Sequence, residues 1–104
     1  MTGPLLEVSG SVVEATVRLA ALEVPGVCRV GRGGPVWARW LAAPAIRIDR
    51  RAGSVGVSVA IVARPAQPLV QLTRAVRTSI AAAVERTLEL EAGSISVIVD
   101  GIGV

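Results

Sequence analysis

The amino-acid sequence predicts an α+β fold. The expected architecture is a two-layer α/β sandwich, with two amphipathic helices packed on one face of a mixed sheet in the order β-α-β-β-β-α-β. Three observations lead to it. Two long stretches repeat their apolar residues at helical spacing, several short stretches alternate at a period of two, and the hydrophobic residues are almost all aliphatic. One-sided helices and one-sided strands must bury their apolar faces on each other, and two layers do this most economically.

Residues 5–8 read as a short first strand. Ser9 and Ser11 are the two N-cap choices for the following helix, and Ser11 with Glu14 has capping-box spacing. Over residues 12–24, Val12, Val13, Thr16, Leu19, Ala20 and Val24 recur on one face, with Glu14 and Arg18 off it. Pro25-Gly26 ends this helix. Val27–Val30 is a short strand, followed by a flexible loop containing Gly31, Gly33, Gly34 and Pro35.

Residues 36–43 form either a short helix or a packed loop. Val36, Trp37, Trp40 and Leu41 fall on one side of a helical turn, and Arg39 falls on the other. Residues 45–50 alternate Ile46 and Ile48 against Arg47 and Asp49, and residues 55–63 alternate Val55, Val57, Val59 and Ile61 against Gly56, Ser58 and Ala60. Joined by the turn 51–54, they read as a β-hairpin. Pro65 and Pro68 bracket a stiff linker, with Pro68 suited to the first turn of a helix. Over residues 69–89, Leu69, Leu72, Val76, Ile80, Ala83, Val84, Thr87 and Leu88 trace one face. Gly93 is the stop, and Ile95, Val97 and Val99 alternate with Ser94, Ser96 and Ile98 in a last strand closed by Asp100-Gly101. The final strand–helix–strand unit is long enough for a parallel crossover.

The 104 residues fit one domain spanning 1–104, and at 52% hydrophobic and 18% charged they can bury a core. No stretch approaches the roughly 20 apolar residues of a spanning helix. The start lacks the basic and apolar regions of a signal peptide, which makes a cytoplasmic location the expectation. All eleven basic residues are arginine and the net charge is +3; the arginines are dispersed and form no basic tail.

The chain has no histidine, which removes the commonest general base and the usual nitrogen ligand for metals. With a single cysteine, Cys28, the usual zinc ligand sets are excluded as well. Without an activating base, Cys28 reads as a small core residue rather than a nucleophile. Gly31-Arg32-Gly33-Gly34 lacks the spacing of a dinucleotide fingerprint. Glu85 and Glu89 would be i,i+4 neighbours on a wet helix face, with Glu91 nearby. No catalytic residue, metal site, cofactor or small-molecule substrate is expected.

Two surfaces remain. Trp37 and Trp40 either close an open edge of the core or anchor a partner or the membrane interface, where Trp is enriched. Gly56, Ser58 and Ala60 offer a small, uncharged sheet face on which another surface can lie flat. Together these five residues are the candidate protein interface, and homo-oligomerisation through paired strands or this flat face is the expected physical form. A small RNA- or DNA-binding domain is the alternative, with Arg64, Arg74 and Arg77 as its anion contacts. Single-strand readers also need stacking aromatics, and Trp37 and Trp40 are remote from those arginines in sequence, so nucleic acid is the less favoured partner.

The segment Glu7-Val8-Ser9, Val12-Val13 and Leu19-Ala20-Ala21-Leu22-Glu23-Val24-Pro25-Gly26-Val27 resembles the N-terminal signature of the alkaline-shock (envelope stress response) protein family. The alternating valine strand, the proline-bracketed linker, the long helix and the ending Val99-Asp100-Gly101 are similar too, in the same order. The resemblance implies a bacterial cytosolic, non-enzymatic module without cofactors, linked to cell-envelope stress or homeostasis. Such a module acts by self-association or by docking on a membrane-associated partner, which would place it at the membrane periphery. The paired tryptophans in residues 34–43 depart from the short glycine-type loop expected at that point of the family pattern.

Overall fold

The computed structural model describes residues 9–41 and 43–103. The strand expected over residues 5–8 lies outside them. The described chain runs α1 (Gly10–Leu22), β1 (Val27–Val30), α2 (Val36–Leu41), β2 (Ile46–Arg51), β3 (Ser54–Ala63), α3 (Leu69–Thr87) and β4 (Glu91–Ile102). This is the α+β arrangement that the alternation and the two helical stripes predict.

The ten-residue β3 organises the sheet. Its first half pairs antiparallel with β2, from Arg51↔Ser54 to Ile46↔Val59. Its last residues pair antiparallel with β1, at Arg29↔Val62 and Val30↔Ile61. Both strands lie end to end along one edge of β3, while β4 runs parallel along the other, from Ser54↔Glu91 to Ala63↔Ile102. A two-residue loop, Ala52-Gly53, closes the β2–β3 hairpin, with Gly53 at φ +76°, a region glycine occupies readily.

Helices α1 and α3 lie side by side on one face of the sheet, α1 over β1 and β2, α3 over β4. The core between the layers is wholly aliphatic. Val13, Val17, Ala20 and Ala21 of α1 and Leu72, Val76, Ile80 and Val84 of α3 meet Val55, Val57, Val59, Ile61 and Ala63 of β3. No polar or charged residue is buried among the described residues. The Ser79 hydroxyl donates to the Ala20 carbonyl at 2.7 Å and ties the two helices together.

Several boundaries and faces differ from expectation. Ser9 caps α1, its Oγ accepting the Val12 N–H at 3.3 Å. Ser11 therefore falls inside the helix, and no capping box forms with Glu14. The earlier start accompanies a different buried face: Val17 and Ala21 are buried, while Val12 and Leu19, expected in the core, are exposed. Pro68 is the N-cap of α3 rather than a residue of its first turn. That helix stops at Thr87, and Glu89 takes a positive φ of 56°. β4 begins at Glu91, so Gly93 lies within the strand. Glu85 alone of the three glutamates is on the helix, and the i,i+4 pair with Glu89 is not formed.

The revised α1 face yields a direct comparison. Ile61→Ala removes one of the largest fully buried side chains and should cost about 2–5 kcal/mol. Leu19→Ala should change stability by no more than about 0.5 kcal/mol, and Val17→Ala by clearly more than Leu19→Ala. Urea unfolding followed by far-UV circular dichroism measures all three.

Candidate functional site: an apolar arm held across the outer face

The sheet face away from the helices is covered only in part. Along β3 it presents Ser54, Gly56, Ser58, Ala60 and Val62. Gly56 and Ser58, with Arg47 and Asp49 of β2 and Ser94 and Ser96 of β4, line a shallow open depression. This half of the expected flat face is available to solvent. Ala60 is not: it is 2% exposed, and neighbouring Val62 is buried as well.

What covers them is the segment leaving β1. The Gly31 N–H donates to the Ala60 carbonyl at 3.0 Å, and the Ala60 N–H donates to the Ala45 carbonyl at 2.8 Å. The chain departs and returns at the same point of the β3 edge, and residues 32–44 form an excursion from it. Its first residues cross the outer face to β4. There the Gly33 N–H donates to Asp100 Oδ2 at 2.8 Å, and the Arg32 guanidinium lies 3.8 Å from Asp100 Oδ1. The passage is tight: a Cβ on Gly33 would strike the Asp100 carbonyl and come within 3.2 Å of Gly101 Cα. Only glycine fits here without displacement of backbone. The Arg32 Nε donates to the Ala43 carbonyl at 3.1 Å and closes the neck of the excursion.

Cys28 and Gly103 lie close together beside Val62, and a Cβ on Gly103 would lie 3.2 Å from Cys28 Sγ. Cys28 is half-buried beside Gly103 rather than in the aliphatic core expected for it.

Beyond the strap, the Pro35 carbonyl accepts the Ala38 and Arg39 N–H groups at 3.0 and 3.1 Å and starts α2. The tryptophans do not close an edge of the core. Val36 is 58%, Trp37 70%, Trp40 84% and Leu41 83% exposed. Ala38 and Arg39 are the half-buried side, and Arg39 Nε is shielded from solvent without a hydrogen-bond partner. Two tryptophans so exposed present on the order of 300–400 Å². With Val36 and Leu41 the patch reaches the upper end of the roughly 300–600 Å² found on monomers, where such patches are often functional. Sequence spacing placed these four residues on one side of a turn; it could not say whether that side faces in or out.

Arg74 and Arg77 are exposed on α3, and Arg64 is exposed just after β3. Arg74 borders a shallow depression with Gln71, Ala75 and Thr78. The arginines of α3 are in the helical layer, whereas the strap leading to the tryptophans crosses the opposite side of the sheet. No stacking aromatic joins them in a common groove.

No family model and no curated protein matches the chain. Solved structures do. A copper form of the MamM CTD matches at 18% identity with TM-score 0.60, over 91% of this chain and 88% of that one. A zinc form of a MamM CTD variant matches at 18% identity with TM-score 0.59, over 90% and 87%. A further MamM CTD variant gives 19% identity and TM-score 0.57, over 88% and 94%. The likeness is one of fold. It extends over nearly the whole described chain and so embraces both layers of the sandwich. Among the described residues, no group of three or more Cys, Asp or Glu gathers that could hold a metal ion. No helix among them is long and apolar enough to cross a membrane.

The strap makes a separable prediction. Asp100→Ala removes the carboxylate that holds Gly33 and Arg32, and should cost about 1–2 kcal/mol, below the full range for a charge-assisted bond because the pair is partly solvated. Gly33→Ala should displace the strap while β1, β2 and β3 remain paired. Both variants should lower the steady-state anisotropy of tryptophan emission, since both tryptophans of the chain ride on α2. Unchanged anisotropy would mean that Asp100 does not position the arm.

Proposed function

We propose that this chain is a non-enzymatic protein-interaction module, of the alkaline-shock type, that docks on a partner protein through α2. The observation that carries the reading is the arm itself. Four large apolar side chains on six residues are held in water, on a segment fastened at both ends. Exposing them costs solvation free energy, roughly 25 cal/mol for each Å². Burial against a partner recovers it, and a short preordered helix loses little entropy in doing so. Tryptophan is enriched at such hot spots.

The order of the N-terminal pattern, the valine strand, the linker and the long helix supports placing the module with the envelope stress proteins. On that reading the partner is a cytoplasmic or membrane-associated envelope protein, and the module reaches the membrane periphery through it. Neither a cofactor nor a substrate enters this mechanism; association is the activity.

The test uses the two tryptophans as both lever and probe. Wild-type protein and a Trp37→Ser, Trp40→Ser variant are immobilised, and proteins captured from the native host are compared. The variant should keep its far-UV spectrum and lose the wild-type partner, which should be enriched in the membrane fraction. Adding the purified partner to wild-type protein should shift tryptophan emission to shorter wavelength. Capture of the same proteins by both forms, with no emission shift, would remove α2 as the docking element.

A further inference from the structure

We infer that β4 is a pairing edge for a second copy of this chain, joining two sheets antiparallel about a two-fold axis. This is independent of docking through α2 and uses the edge of the sheet that faces away from β1 and β2.

The two edges are built differently. Along β1 and β2 the outer edge carries Arg29, Arg47, Asp49, Arg50 and Arg51, and it is broken between Gly31 and Ala45 by the excursion. Charges and interruptions of this kind keep an edge from pairing with a stranger. The edge formed by β4 lacks these guards over its centre, with Glu91, Asp100 and two register irregularities confined toward its ends. From Ala92 to Val99 it carries no charge and no proline, and its ladder to β3 is regular over Ile95–Val99. Among the described residues only β3 pairs with it. Its free N–H and C=O groups form a template about 27 Å long over eight residues.

The side chains show what the template lacks. Ile95, Val97 and Val99 align with Val57, Val59 and Ile61, which are at most 4% exposed. They face the same core, yet they stay only half-buried, and among the described residues no strand lies beyond them. A strand added outside β4 would complete the burial.

A second copy of β4 suits this position, and one register stands out. Antiparallel pairing must match residues of equal parity to keep the apolar set on the helical face. With Val97 on the two-fold axis, Ile95 lies opposite Val99 of the second copy and Val97 opposite itself. Ser96 then meets Ile98 on the outer face. Asp100 falls opposite Ser94, whose hydroxyl can donate to it, and Glu91 falls opposite Gly103. No like charges meet, and every apolar residue of the helical face finds an apolar neighbour. The contact is isologous and closes on itself, so it yields a dimer rather than a fibre.

Charge reversal tests both the pairing and the register. Wild-type protein should sediment as a dimer. Ser96→Lys with Ile98→Lys, and separately Ser96→Glu with Ile98→Glu, alter exposed outer-face positions and set like charges opposite each other. Each variant should keep its far-UV spectrum and sediment as a monomer. Mixing them in equal amounts should restore the dimer, because each lysine then faces a glutamate. A dimeric lysine variant, or a mixture that stays monomeric, would overturn the pairing. So would a wild-type monomer at high concentration; if its β4 amides were nevertheless protected from hydrogen exchange, another segment of the same chain would be the occupant. The Trp37→Ser, Trp40→Ser variant should remain dimeric, so failure of docking and failure of pairing are read separately.

Discussion

Everything in this molecule depends on β3 having a partner along both of its edges. Among the described strands it alone pairs with β1, β2 and β4, and its last residues, Ala60 to Ala63, are all buried. Below it the aliphatic core fills the space under α1 and α3; above it the strap hides Ala60 and Val62. Fully buried strands read as near-continuous apolar runs. The switch inside β3, from strict alternation over Val55–Val59 to the unbroken Ala60-Ile61-Val62-Ala63, marks where the second cover begins. The one-sided half is left as the open trough floored by Gly56 and Ser58.

That switch explains much of what was legible in the sequence and what was not. The hairpin, α3 and the layer order follow from period-two and period-3.6 patterns spread over many residues, and such patterns survive small local misreadings. The face of α1 was harder, because nearly every position from Val12 to Leu22 is small or aliphatic. Thr16 and Leu19 fit a helical stripe as well as Val17 and Ala21 do, and only the neighbouring α3, with Ser79 against Ala20, selects between the two. The ends of α3 and β4 turned on Glu89, a residue whose side chain gives no hint of a positive φ.

The interface residues divide on the same lines. Gly56 and Ser58 are where alternation puts them. Ala60 is lost to the strap, and the strap depends on an encounter between Gly33 and Asp100, 67 positions apart. No local pattern announces such a meeting. The available signal was the glycine-rich stretch itself: three glycines within Gly31–Gly34 permit a close crossing of backbones, which a flexible loop does not require. For Trp37 and Trp40 the composition held a further hint. A core made without any Phe or Tyr has no place shaped for the two largest side chains.

Because the excursion leaves and rejoins the sheet at a single residue, Ala60, the ladder is indifferent to what lies between. The edge receives Gly31 and Ala45 as if they were successive members of one strand, and the neck from Arg32 to Ala43 seals the junction. Sequence between Gly34 and Ala43 can therefore drift, lengthen or be exchanged while the scaffold keeps its registration. Paralogues of one framework could in this way acquire different affinities by rewriting a single short insert, with folding and recognition evolving on separate parts of the chain.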